Sequence, residues 1–251
     1  MTNTWRLLDS GLVPPVESAA LDEAILTAHT SGSVPNTLHF YIRSAPTISV
    51  GYFQKISETV NLEECRKRNV QIIRRKSGGS SIYTDRDQLI FALVVHEREL
   101  PDDRTDSFKA ICEPVARAIC SFGVEAKYRP MNDIEIAGKK LSGNAQLRRK
   151  GSVLQHGTVI VAADLQAMDA VLRLPGSTQG EVSKPSDRVT SLASVLGTKP
   201  DMEILKSKIA EEISAGFSAK FASGPMTKQE RGIVHDLIKE RYSREEWNFR
   251  F

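Results

Sequence analysis

Apolar positions recur with strand spacing through the first 160 residues and with helical spacing afterwards. Residues 5–8 predict a first strand, and residues 17–29 a helix with Leu21, Ala24, Ile25 and Ala28 on one face. Residues 38–42 and 47–50 follow as strands around the turn at Ala45-Pro46. Asn61, with Glu64 three positions on, has the form of a capping box opening a short helix over 62–67. Strands over 71–74 and 80–83 flank a glycine turn, and the unbroken apolar run 89–95 predicts a buried strand. Phe108, Ile111, Val115, Ile119 and Phe122 recur at three- and four-residue intervals, so a helix is expected over 107–122. Turns at Ala137-Gly138 and Lys150-Gly151 separate strands over 133–136, 140–147 and 153–162. Helices are expected over 164–172, 189–196 and 202–217. A second capping box, Thr227 with Glu230, starts a last helix reaching to about residue 242. Between them, residues 175–187 form a polar loop of the length usually reserved for function or disorder. The pattern predicts one α+β domain, mixed but mostly antiparallel sheets flanked by helices.

Composition narrows the classes. The chain has 251 residues, 40% hydrophobic and 26% charged, the mix of a globular protein able to form a core without disulfides or structural metal. Its 34 basic and 31 acidic side chains leave a net charge of +3, too small to argue for nucleic-acid binding. No run approaches eighteen apolar residues, so no membrane span is expected, and the start has no basic-then-apolar leader. Cys65, Cys112 and Cys120 form no CxxC pair and read as free thiols of a reducing cytoplasm.

Three stretches carry chemistry. In Arg74-Arg75-Lys76-Ser77-Gly78-Gly79-Ser80-Ser81, cations run into a Gly-Gly turn whose backbone N–H groups could approach an anionic ligand. By itself the run reads more readily as a solvated hairpin. Asn132-Asp133 through Lys140 to Gly143 reads as strand, turn, strand, with Asp133 and Lys140 near opposite ends of the paired segment. A lysine aimed into a site supplies a point charge for a developing oxyanion, and a nearby carboxylate can hold Mg²⁺. The plain alternative is an exposed hairpin with ordinary turn lysines. His156-Gly157-Thr158 starts a strand, where the histidine could meet a substrate or a backbone carbonyl. The histidines form no HExxH pattern, so a zinc site is not expected.

Taken together and in order, these stretches resemble the lipoate–protein ligase and octanoyltransferase group, whose fold is related to that of biotin–protein ligases. The resemblance also covers Trp5 to Gly11, Ala20-Leu21-Asp22-Glu23-Ala24, Pro46 to Gln54, and Tyr242-Ser243-x-x-Glu246-Trp247-Asn248, so it spans nearly the whole chain. It implies an ATP-dependent lipoate–protein ligase that forms lipoyl-AMP and passes the lipoyl group to a lysine of an acceptor protein. Lys140 and Asp133 would be catalytic, with Asp133 meeting either Mg²⁺ or the incoming amine. Lipoate and ATP would be bound by Arg74, Arg75, Ser77, Gly78, Gly79, Ser80, Ser81, Ile82, Tyr83, Asp85, Lys140, Ser142, Gly143, Ala145, His156, Gly157 and Arg188, beneath the loop 175–187. Implied acceptors are lipoyl domains of glycine-cleavage H or 2-oxoacid dehydrogenase E2 type.

The chain departs from the group's pattern at three places. Ser80 stands for its third glycine, and Thr84 for its usual histidine. The cysteine that the group's thiol-dependent octanoyltransferases carry before residue 133 is absent from Lys127-Tyr128-Arg129-Pro130-Met131. An acyltransferase acting without ATP is therefore the second reading, and a non-catalytic lipoate-binding module the third. The resemblance further implies a single catalytic domain over 1–251 without the group's accessory domain; either a separate small subunit would supply it, or the chain would work without it.

Overall fold

A computed structural model describes residues 3–174 and 184–251. The chain opens with β1 (Thr4–Val13), α1 (Pro15–Thr30), β2 (Thr37–Arg43) and β3 (Thr47–Val50). Short helices α2 (Ile56–Thr59) and α3 (Leu62–Lys67) lead to β4 (Gln71–Arg74), β5 (Ile82–Thr84) and β6 (Gln88–His96). Helix α4 (Arg104–Cys120) precedes β7 (Ala126–Arg129), β8 (Asp133–Ile136), β9 (Lys139–Arg149) and β10 (Ser152–Ile160). The last part holds α5 (Leu165–Val171), α6 (Leu192–Leu196), α7 (Met202–Gly216), β11 (Lys220–Ser223), α8 (Lys228–Leu237) and α9 (Glu245–Asn248).

Eight of the described strands join in one sheet, ordered β11-β1-β2-β6-β10-β9-β8-β7, and β4-β3-β5 form a second. Among the described strands, parallel pairing is confined to β11-β1-β2 and to β3-β4, and every other strand pair is antiparallel. The expected α+β class and its antiparallel bias both hold. Strand β6 is buried on both faces because helices cover the sheet on each side, which explains its unbroken apolar sequence. On one face, Phe91, Leu93, Val153 and Val159 pack with Ile111, Val115 and Ile119 of α4 and Leu205, Ile209 and Ile213 of α7. On the other, Ala92, Val94 and Leu154 pack with Ile25 and Leu26 of α1. This division into two faces places the site.

Two strands were not expected from sequence. Both β7 and β11 are sheet edges, hydrogen-bonded on one side only; β11 is mostly exposed and β7 fully buries only Ala126, so neither needs an apolar alternation. Residues 189–196 are not one helix: Ser191 caps α6, and Val189 instead bridges Lys140. The two capping boxes differ. Thr227 and Glu230 exchange both hydrogen bonds, at 3.1 and 2.7 Å. Asn61 caps Glu64 at 3.4 Å, but the Glu64 carboxylate turns forward to Lys67 and Arg68. Among the described residues no helix is long and apolar enough to cross a membrane. Most of the expected covering loop, residues 175–183, lies outside the described residues.

Candidate active site

The site is assembled on the α1 face of the large sheet. Cross-strand partners share a face and alternate residues change face. Asp133 pairs with Gly143, Gly143 with Thr158, and Ala145 with His156, so these five lie on one side. Asn144 and Gly157 lie on the other, where a Cβ on Gly157 would meet Asn144 Oδ1 at 2.1 Å and the Phe91 ring at 2.7 Å. Ser142 pairs with Val159 on that same core side and receives a hydrogen bond from Asn144. Of the expected binding residues, Ser142 and Gly157 therefore shape the strand pair from its core side.

Asp133, at the open end, and Lys140, beside the turn, stand near opposite ends of the paired segment as expected, but their side chains meet. A register shift between Ile134 and Glu135 sets Glu135 across from Lys140. The lysine side chain then runs back over Gly143, and its Nζ reaches Asp133 Oδ1 at 2.7 Å. A Cβ on Gly143 would lie 2.5 Å from both Cε and Nζ of Lys140, so the absence of a side chain there makes the path for the lysine. Arg129 takes the other Asp133 oxygen at 2.7 Å and reaches Glu135 at 2.9 Å. Both oxygens of Asp133 thus face cations. No group of three His, Cys, Asp or Glu among the described residues is placed to hold a metal ion. This donor set does not fit Mg²⁺, and Asp133 reads as the anchor of Lys140. From below, Lys140 is fixed by its backbone, whose carbonyl accepts the N–H of Thr190 at 2.9 Å. Arg188 lies exposed two residues before.

The arginine run is an internal clamp. Arg74 is fully buried and donates to the carbonyls of Gly51, Tyr52, Gln54 and Arg250. Arg75 donates to the carbonyls of Ser49, Gly78 and Ser80 and, through Nε, to Ser77 Oγ at 3.2 Å. Burial pushes the Arg75 guanidinium down to about 10, aided by nearby Arg43, so its pairing with loop carbonyls keeps a costly cation satisfied. Both arginines were expected to bind a ligand; instead Arg75 holds the Ser77–Ser80 loop in shape, and Arg74 ties the segment 51–54 to Arg250. Gly79 needs its φ of 91°, and its carbonyl lies where a Cβ of Gly51 would stand, 1.9 Å away. Ser80 is exposed at the loop tip and Ser81 bonds Thr59 at 2.9 Å. Ile82 and Tyr83 continue into β5, with Tyr83 in the core of the smaller sheet. Asp85 is largely buried, which raises its carboxyl above the usual range.

His156 is where the loop and the sheet meet. Its Nε2 lies 2.7 Å from Ser77 Oγ and its Nδ1 2.8 Å from Asp22 Oδ2. Asp22 comes from α1, within the Ala20–Ala24 stretch of the resemblance but without an expected role in the site. It is also held by the Tyr41 hydroxyl at 3.1 Å and by His39 at 3.4 Å. Burial would raise the Asp22 carboxyl, but hydrogen bonds from His156 and His39 and their charge hold it well below the usual carboxylate range. The sequence carried a signal: Asp22 lies between Leu21 and Ala24 of the apolar face expected for this helix, and an acid buried beside such a face needs partners.

The thiols stand apart from this face. Cys112 of α4 packs on the core side, where it accepts from Gln155 at 3.4 Å, and burial pushes it up to about 12. Cys120 bonds Ala126 across from α4 to β7, and Cys65 is buried in the smaller core, pushed up to about 11.

Known proteins extend this picture. Octanoyltransferase LipM of Kyrpidia tusciae is 31% identical over 98% of this chain and 99% of that protein. Octanoyltransferase LipM of Moorella thermoacetica is 31% identical over 97% of each. Among solved structures, a bi-partite lipoate protein ligase of Thermoplasma acidophilum is similar with a TM-score of 0.88 and 28% identity, over 98% of this chain and 96% of that one. An octanoyltransferase takes an acyl group that is already activated and needs no nucleotide. Relatives of that name along the whole chain overturn the expected ATP-dependent ligase, and with it the acyl-adenylate route. Residues 14–214 match the lipoyl protein ligase A/B catalytic domain, and the chain belongs to that family of enzymes of protein lipoylation.

Proposed function

We propose that this protein moves an octanoyl-type acyl group from a thioester donor to a lysine ε-amine of a lipoyl-acceptor domain, without ATP. The observation that carries it is Lys140, held by Asp133 over Gly143 on the α1 face of the sheet. Attack on a thioester carbonyl develops an oxyanion, and an ammonium already in place stabilises it without reorganisation. Leu147 and Leu154, farther along the same face, offer the acyl tail apolar surface beside His156, worth roughly 0.8 kcal/mol per buried CH₂. The full-length relatives named octanoyltransferase support the acyl group. The solved lipoate ligase of Thermoplasma acidophilum, described with its E2 lipoyl domain, supports the class of acceptor. Incubation with an octanoyl-carrier-protein thioester and a lipoyl domain, without nucleotide, should increase the domain's mass by one octanoyl group on its lysine. Transfer that requires free acid plus ATP, or no transfer from the thioester, overturns the proposal.

A further inference from the structure

An ATP-independent acyltransferase needs either direct attack by the acceptor amine or a nucleophile of its own. The expected cysteine position holds no thiol, and Cys65, Cys112 and Cys120 all lie away from the Lys140 face. One hydroxyl is differently placed. Ser77 Oγ stands 2.7 Å from His156 Nε2, and His156 Nδ1 stands 2.8 Å from the Asp22 carboxylate. Nucleophile, base and orienting acid within hydrogen-bond reach form the constellation of activated-serine catalysis, which recurs on unrelated folds.

The surroundings assign the protons. Asp22, on α1, is an acceptor held by three side chains from two other elements, His156 on β10 and His39 and Tyr41 on β2. Ionised Asp22 places the imidazole hydrogen on Nδ1, which leaves the Nε2 lone pair facing Ser77. Arg75 Nε, 3.2 Å from Ser77 Oγ, favours the hydroxyl as it becomes an alkoxide. Ala145 stands opposite His156, two residues along β9 from the glycine beneath Lys140 Nζ. That spacing is about 7 Å along the strand, which sets the His156–Ser77 pair and the Lys140 ammonium at neighbouring positions on one face. Ser77 and His156 also line a small cavity whose apolar wall includes Ala19, Leu147 and Leu154.

We infer that Ser77 is an acyl-accepting nucleophile, with His156 as its base and Asp22 as the positioning residue. The inference rests on the octanoyltransferase reading for its donor and acceptor. In the first half-reaction Ser77 Oγ attacks the thioester carbonyl and its proton passes to His156 Nε2. The C–S bond breaks, and the leaving thiolate takes that proton. In the second, a neutral lysine amine attacks the seryl ester and gives its proton to Nε2. The C–O bond breaks, and Ser77 regains its proton. Thioester and amine become thiol and amide.

The test mixes the full chain with an octanoyl thioester in the absence of acceptor, followed by acid quench and peptide mass mapping. An octanoyl ester on Ser77, discharged when a lipoyl domain is added, is the expected result. Ser77→Ala should lose the adduct and slow transfer by roughly 10²-fold or more, and Ser77→Cys should restore a thioester-linked adduct. Asp22→Asn should lower kcat by about 10²–10⁴-fold with little change in KM for the thioester, as expected when a base loses its tautomer. A fluorophosphonate probe reads Ser77 independently of donor, labelling the unmodified chain and not Asp22→Asn. Transfer that proceeds without an adduct, and within tenfold in a folded Ser77→Ala chain, overturns the nucleophile and leaves the acyltransferase reading intact. An adduct on a cysteine likewise overturns it. Probe labelling of Ser77 without any transfer from the thioester sustains the activated serine and overturns the acyltransferase reading. Neither labelling nor transfer overturns both.

Discussion

At the scale of the residue, the site depends on side chains that are missing as much as on those present. Gly143 leaves the space that Lys140 occupies, and a Cβ there would lie 2.5 Å from its Cε and Nζ. Because the displaced atoms are the far end of a flexible chain, Gly143→Ala should fold normally yet move the ammonium off Asp133. A displacement near 1 Å in a catalytic group costs on the order of 10²-fold, so the variant should lose roughly 10–100-fold in kcat with an unchanged thermal midpoint. Lys140→Ala removes the charge altogether, and the loss should reach about 10²–10³-fold. Steady-state acyl transfer beside a melting curve checks both. Arg74 and Arg75 carry the opposite lesson. Their residue type pointed to a ligand, but their donors face backbone carbonyls, because a buried guanidinium must be satisfied where it lies. Sequence shows that a cation is there but not which atoms it will meet.

Elements decide which residues reach one another. The two-residue turn before β9 was legible in Ala137-Gly138, and so was the hairpin; the register shift that brings Lys140 back to Asp133 was not. Such a bulge depends on how the pair packs against its neighbours rather than on local preference. Helix α1 was likewise legible, while its delivery of Asp22 to a histidine 134 positions away was not. Helix α8 is joined to β1 by a buried ion pair, Arg6 with both oxygens of Glu230 at 2.8 and 2.5 Å. Glu230 is also the acid of the capping box, so one carboxylate caps the start of a helix and ties it to the sheet. Removing one partner of such a pair leaves an uncompensated buried charge, at about 3–5 kcal/mol. Arg6→Ala should therefore lower the urea-unfolding free energy by about that amount, well above the effect of an exposed pair such as Lys67 with Glu63.

For the whole molecule, stability is coupled to pH through these buried acids. Burial would raise Glu230 too, but the bonds from Arg6 and the Thr227 N–H outweigh it, and Asp22 is lowered by its histidines. A carboxyl whose folded value is depressed contributes stability above its ordinary value near pH 4, and that contribution is lost as pH falls through the folded value. The urea midpoint should decline below about pH 4, and more gently in Glu230→Gln, measured from pH 7 to pH 3. Sequence by itself determined the α+β class, most of the elements, the cap at Thr227 and the stretches that carry the chemistry, because these follow from periodicity and local hydrogen bonding. The edge strands β7 and β11 escaped it, since a strand paired on one side and exposed on the other needs no apolar pattern. Only the tertiary structure decided which face each residue takes. It put Ser142, Gly157 and Cys112 on the core side and gathered Ser77, His156 and Asp22 from three distant segments on the other. The physical reason is the two-residue period of a sheet covered on both sides: a shift of one position exchanges core for site, and packing rather than local sequence sets that register.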